Sequence, residues 1–185
     1  MKRNTTFKLC FCGIMIALST ALSLVKLWQM PYGGSVTLCS MLPVMLVGYM
    51  FGTRTGLAAA FAYSVIQALL DIGSISGWGL TAGVFAACLL LDYLLAFTAL
   101  GLSGVFKGKM KSDFAAYVCG MCLAVFLRFV CHFISGVVLW SSTAAFEPAW
   151  LYPIAYNGGF LLPDLAICVV VGIILYKPLK KLVKA

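Results

Sequence analysis

Six apolar stretches, most of them long enough to cross a bilayer, follow one another along this chain, and no soluble fold accommodates that arrangement. A spanning helix needs about 20 consecutive, predominantly apolar residues, and the stretches at residues 7–25, 38–51, 57–70, 80–102, 114–140 and 154–175 meet or approach that length. Only 10% of residues are charged and 63% are hydrophobic, with a mean hydropathy of +1.07. Soluble domains are only about half apolar. The sequence therefore predicts an all-α membrane protein: a single integral membrane domain over residues 1–185, six transmembrane helices, no soluble domain and no tandem repeat. The basic N-terminus leads into an apolar stretch without a small-residue cleavage site, so it is read as the first spanning helix rather than a removed signal peptide.

The net charge of +8 does not point to nucleic acid, because the basic residues lie in short clusters between apolar runs, the pattern that orients helices in a membrane. All of the 13 basic residues except Lys26 and Arg128 fall on one side of a six-helix topology. That side includes Lys2, Arg3, Lys8, Arg54, Lys107, Lys109, Lys111 and the lysines of the tail, Lys177, Lys180, Lys181 and Lys184. Both termini are thus predicted to be cytoplasmic. Between the first two helices, residues 26–37 combine Pro31 with Gly33 and Gly34 and read as a loop, with Trp28 and Tyr32 as interface anchors or lid residues. Helix 2, interrupted by Pro43, is short for a crossing and is expected to be tilted, kinked or shielded by its neighbours. Gly52 to Gly56 read as a tight turn, and residues 71–79 as the loop after helix 3. In that helix Tyr63 and Gln67 share a face.

The chemistry the chain can support is limited. Gly108-Lys109 is followed by Met110 and has no glycine at the required upstream position, so there is no ATP-binding P-loop. No HExxH or GxSxG motif occurs. Cys119 and Cys122 are a lone CxxC inside a spanning helix, better explained as packing residues than as a zinc or redox site. Ionisable groups at membrane depth are functional candidates. Arg128, His132 and Gly136 recur every four residues on helix 5, with Trp140 one turn on, and so share a face. At ~1.5 Å per residue, His132 lies roughly 12 Å below the outer end of its helix and Asp92 roughly 20 Å below that of helix 4. The two can line one outward-facing cavity, closed by Tyr152 and Asn157, with Gly136 leaving room for a flat ligand. Carboxylate, imidazole, indole, phenol and carboxamide together suit an aromatic, cationic solute, and Asp71 and Glu147 in the outer loops do not repel one. Bland readings stand beside this: Asp92 or Asp164 neutralising Arg128 in a structural ion pair, His132 capping a carbonyl, and the aromatic residues forming an interfacial belt. A membrane-embedded enzyme using Asp92 and His132 as an acid/base pair is a third possibility.

The segment HFISGVVLW in helix 5, the AWLYPIAYNG block leading into helix 6, DYLLAF in helix 4, the Pro43 region with GTRTG, and the Ala17/Ala21 pair together resemble the thiamine-specific substrate-binding subunits, or S components, of energy-coupling factor transporters. The resemblance covers nearly the whole chain. It implies an S-component-like bundle in a prokaryotic plasma membrane that captures thiamine and uses no cofactor or metal of its own. Its implied partners are a transmembrane coupling subunit and two cytoplasmic ATPases that consume the ATP; a sibling vitamin or a thiamine precursor is the alternative ligand. Asp92 is implied to face the thiamine cation. Tyr93, His132, Gly136, Trp140, Tyr152, Asn157 and Tyr63 are implied to surround the ligand, and Ala17 and Ala21 to pack on the coupling subunit. The chain departs from the family pattern in having Asp92 where Glu is common, Tyr63 where tryptophan is expected, and Gly34 where some members place a tryptophan. Trp28 is therefore a candidate substitute for the lid.

Overall fold

The computed structural model describes residues 5–140, 148 and 150–184; Lys2, Arg3 and Glu147 lie outside the described residues, as do the side chains of Tyr32, Lys181 and Lys184. Among the described residues there are six helices, besides a single 3-10 turn at Pro31–Gly33: α1 (Thr5–Ser23), α2 (Met41–Phe51), α3 (Thr53–Ser76), α4 (Ala82–Gly104), α5 (Asp113–Leu139) and α6 (Leu151–Lys184). All but α2 are long and apolar enough to cross a membrane. The all-α membrane class is as expected from the sequence. The chain passes up and down so that the start of α1, the α2–α3 and α4–α5 connections and the end of α6 share one end of the bundle, here called the terminal end. The exposed pair Lys180–Asp113, at 3.3 Å, ties the end of α6 to the start of α5 there.

Several boundaries differ from the sequence reading. α3 begins immediately after Gly52, whose φ of 89° makes the whole turn, so most of GTRTG is helical. It also runs on to Ser76 through residues read as a loop. The turn-forming side chains there are satisfied within the helix or by a neighbour: Ser76 donates to the Ile72 carbonyl at 2.7 Å, and Asp71 accepts from Tyr93. α6 starts at Leu151, because Pro153 sits in its first turn, where the missing N–H has no helical partner to lose. It also contains Pro163 and Pro178. The 26–37 segment is not a plain loop but an antiparallel hairpin of β1 (Lys26–Gln29) and β2 (Ser35–Thr37), which pairs Trp28 with Val36 and Gln29 with Ser35. α4 changes pitch along its length: Ala82–Cys88 is α-helical, Leu89–Leu95 is a π-helical segment, and Ala99–Gly104 tightens to a 3-10 helix.

α2 resolves the question of its length. Every residue from Met41 to Met50 is buried, so the neighbouring helices shield it. The packing around its lower half is backbone on backbone. A Cβ on Gly56 would fall 2.5 Å from the Gly48 Cα and from the Gly101 carbonyl oxygen, and one on Gly101 would fall 2.5 Å from the Gly56 carbonyl. Gly104 lies against the Gly48 carbonyl, and Gly120 against that of Ser103. Small residues let membrane helices approach this closely, and van der Waals contact then holds them. Polar groups secure the same region: Ser103 donates to the Met45 carbonyl at 2.5 Å, and the Lys107 ammonium caps the end of α2 on the carbonyls of Tyr49 and Met50 at 2.8 and 3.1 Å. α1 is the opposite case. Among its described residues only Ser19 is buried, and Ala17 and Ala21 are both exposed.

Candidate ligand-binding site

At the other end of the bundle the helices part around a cavity of about 270 Å³, near the lower end of the ~300–1,000 Å³ typical of small-molecule sites. All eight residues expected to surround a ligand line it: Tyr63, Asp92, Tyr93, His132, Gly136, Trp140, Tyr152 and Asn157.

The local structure explains how they meet. Asp92 and Tyr93 sit in the π-helical segment of α4, whose wider turn changes which residues face inward; such segments concentrate at functional sites. On α5, Arg128, His132, Ser135 and Gly136 follow the i, i+4, i+7, i+8 row of one helix face. On α6, Tyr152, Tyr156, Phe160 and Asp164 do the same at intervals of four. Asp92 stands at the centre. One carboxylate oxygen lies 2.9 Å from His132 Nδ1, and the other accepts from the Ser135 hydroxyl at 2.5 Å. His132 Nε2 accepts from Arg128 Nε at 3.3 Å. The Asn157 amide donates to the His132 carbonyl at 3.3 Å, which keys α6 to α5. The Tyr93 hydroxyl donates to Asp71 at 3.1 Å, which brings a second carboxylate to the wall from α3. Aromatic rings frame the opening: Trp78 meets Trp140 edge-on at 5.5 Å, and Tyr152 stacks on Tyr156 at 5.8 Å.

The β-hairpin covers this end. The Tyr156 hydroxyl donates to the Pro31 carbonyl and accepts from the Gly34 N–H at 3.0 Å. Lower down, Asp164 accepts from the backbone N–H and the hydroxyl of Thr37, at 3.3 and 3.2 Å. A side chain at Gly34 would run into the Tyr156 hydroxyl at 2.8 Å and the Phe160 ring at 2.9 Å. The absence of a tryptophan there is thus a packing requirement of this hairpin. Trp28, the candidate substitute, is 55% exposed and does not line the cavity, whereas Trp78 and Tyr156 do.

Two further expectations are corrected. The gap over Gly136 is already filled, because a Cβ there would fall 2.5 Å from Pro153 Cβ. Gly136 thus lets α6 close on α5 rather than making room for a ligand ring. Arg128, expected in a structural ion pair with Asp92 or Asp164, forms no ion pair within 4 Å among the described residues. It lies in the cavity wall, 8% exposed, with its guanidinium 4.0 Å over the Phe97 ring and its Nε–H on His132. An i+4 neighbour on its own helix is simply closer than either acid.

Sequence reasoning missed Ser135, Tyr156, Trp78 and Asp71 as members of the site. Ser135 was discoverable, since it lies on the helix face already singled out by Arg128, His132 and Gly136, and Tyr156, one turn beyond Tyr152, could have been found by extending the same spacing to the last helix. Trp78 and Asp71 were hidden by reading residues 71–79 as loop.

The arrangement is not that of a hydrolase. Ser135 bonds to the carboxylate rather than to the imidazole, and the nitrogen a base would need free is engaged by Arg128. A helical bundle that spans the membrane and walls a cavity at one end with a carboxylate, an imidazole and aromatic rings defines a membrane-embedded small-molecule binding protein of the kind used in transport. Residues 9–184 match the family model described as "Thiamine transporter protein", and the chain belongs to that family, which is one of transporters and not of enzymes. Among curated relatives, the thiamine transporter ThiT of Bacillus subtilis is 31% identical over 94% of this chain and 92% of its own. ThiT of Lacticaseibacillus paracasei is 28% identical over 73% of this chain and 70% of its own. The solved structure of ThiT from Listeria monocytogenes shares the fold with a TM-score of 0.73, at 23% identity, covering 96% of this chain and 97% of that one.

Proposed function

We propose that this protein captures thiamine at the outer face of a prokaryotic cell membrane and acts as the substrate-binding subunit of an energy-coupling factor transporter. The observation that carries the reading is the single cavity in which Asp92, His132 and the rings of Trp140 and Tyr152 converge beneath the hairpin. Thiamine is a flat, permanently cationic solute. The Asp92 carboxylate balances the thiazolium charge, Trp140, His132 and Tyr152 provide stacking faces, and the Asn157 amide, anchored on the His132 carbonyl, orients the ligand through its oxygen. Tyr63, Tyr93 and Gly136 complete the wall. Asp71 adds negative potential near the opening, which favours a cation. The terminal end carries the basic clusters and is assigned to the cytoplasm. On the outer flank of the bundle the exposed Ala17 and Ala21 of α1 form a face low enough for a coupling subunit to approach closely, and two ATPases bound to that subunit supply the energy.

Titration of the purified protein with thiamine, followed by tryptophan fluorescence and repeated with Asp92→Asn and Trp140→Ala, tests the binding step. A saturable response, lost or greatly weakened in both variants, is expected. No saturable response together with no heat in calorimetry overturns the thiamine reading, and tighter binding of riboflavin or a free pyrimidine reassigns the ligand.

A further inference from the structure

The proton and charge arrangement around Asp92 carries a conclusion about residues that the thiamine site alone does not explain. Asp92 is met by two donors, His132 Nδ1 at 2.9 Å and the Ser135 hydroxyl at 2.5 Å, and Ser135 is fully buried. The nearest permanent cation, Arg128, does not reach Asp92: its Nε–H is given to His132 Nε2 at 3.3 Å and its guanidinium lies on the Phe97 ring at 4.0 Å. A nitrogen that accepts a hydrogen bond carries no proton, so Nε2 is bare and Nδ1 carries the single ring proton, which it donates to Asp92. Protonating Nε2 would replace an accepted hydrogen bond with two donors facing each other and set an imidazolium against a guanidinium.

We propose that Arg128 and Ser135 are positioning residues that keep Asp92 an uncompensated carboxylate for a cationic ligand. Arg128 acts by fixing His132 as the neutral Nδ1–H tautomer, and Ser135 by holding the second carboxylate oxygen with a neutral donor. Removing Arg128 takes away both the donor that occupies Nε2 and the charge that would face a protonated ring. A second proton on the ring beside Asp92 would make an imidazolium in the place the ligand's charge should occupy. The other titratable groups of the cavity wall and its surroundings do not substitute for Arg128. From α4 come Asp92, Tyr93 and the Cys88 thiol. From α3 come Tyr63 and Asp71, the latter held by Tyr93. From α6 comes Asp164, held by Thr37, and the adjacent Cys131 is on α5 itself. The phenols and thiols are uncharged below about pH 8 at their ordinary values, and the three carboxylates would favour protonating the ring, not oppose it. Beside the burial of the ring itself, Arg128 is therefore the charged group that opposes it.

His132 is the chain's only histidine, so labelling histidine with nitrogen-15 reports on this ring alone. In ligand-free wild type, the spectrum is expected to show the proton on Nδ1 and no second protonation from about pH 8 to about pH 5.5. In Arg128→Met the ring is expected to titrate within that range. Thiamine affinity of the variant is then expected to fall about tenfold from pH 8 to pH 5.5 while that of wild type stays level. Ser135→Ala is expected to weaken binding about fivefold with the level pH profile retained. A wild-type ring that titrates in this range or carries its proton on Nε2 overturns the proposal, as does an Arg128→Met ring that behaves like wild type. Should Arg128→Met not fold, the wild-type spectrum still decides. The affinity measurements rest on the thiamine reading, whereas the spectra need no ligand, so failure of that reading is told apart from failure of this one.

Discussion

The two ends of this bundle are built by opposite rules. At the terminal end, α2, α3, α4 and α5 meet through Gly48, Gly56, Gly101, Gly104 and Gly120, so closely that no side chain fits between them. At the hairpin end the same helices separate, and the contacts are side chain to side chain: carboxylate to imidazole, hydroxyl to carboxylate, ring to ring. Backbone packing leaves little freedom to adjust, while side-chain networks re-form around whatever occupies the space. The difference teaches how a membrane protein without a water-driven core can be rigid and adaptable at once: the glycine-packed base fixes the helix axes, and the polar end is free to be specific.

Four substitutions test this division, from the largest expected effect to the smallest. Gly120→Leu forces a side chain into the Ser103 backbone and is expected to abolish recovery of folded, monodisperse protein, since overpacking a tight contact has no cheap relief. Size-exclusion chromatography after detergent extraction reads this, and a wild-type elution profile would break the claim that the base is incompressible. Asp92→Asn keeps size and removes charge. Thiamine affinity is expected to drop about 100-fold, equivalent to ~3 kcal/mol, with the melting temperature close to that of wild type; a parallel loss of stability would mean that the polar end also carries the fold. Tyr156→Phe removes only the hydroxyl that joins Pro31 to Gly34 and is expected to cost about 1 kcal/mol, seen as roughly fivefold faster release of thiamine in stopped-flow fluorescence. Unchanged release would show that Thr37 and Asp164 alone secure the hairpin. Ala17→Trp lies on the exposed face of α1, outside both regions. It is expected to leave thiamine binding within ~0.5 kcal/mol of wild type and to abolish uptake in cells; lost binding would make α1 part of the fold.

The class of fold was legible because apolar run length and the distribution of lysine and arginine are local properties. The site was legible where helical spacing alone decides a neighbour, as for Arg128, His132 and Gly136, and where the resemblance supplied residues on different helices, as for Asp92 and Asn157. What stayed hidden depended on contacts between elements. The hairpin is held by Tyr156 and Asp164, 125 and 127 residues away from their partners, and its short strands carry no alternation long enough to read. The π-helical segment around Asp92 has no sequence signature of its own. Asp71 and the serines of α3 look like turn formers until Tyr93 and the helix backbone satisfy them. Arg128 was misassigned because matching the depth of a cation and an acid ignores the imidazole lying between them.

The burial of α2 has a consequence for the membrane itself. At ~1.5 Å per residue its 11 residues extend only about 16 Å, roughly half the ~30 Å of a hydrocarbon core. A lipid-facing helix of that length would thin the bilayer around it. Enclosed by its neighbours, α2 never presents its length to the acyl chains, and the hydrophobic thickness this protein asks of its host is set by the five longer helices alone. Lengthening or shortening the surrounding lipids would then be answered by tilt of those outer helices, with α2 as the fixed axle about which they lean.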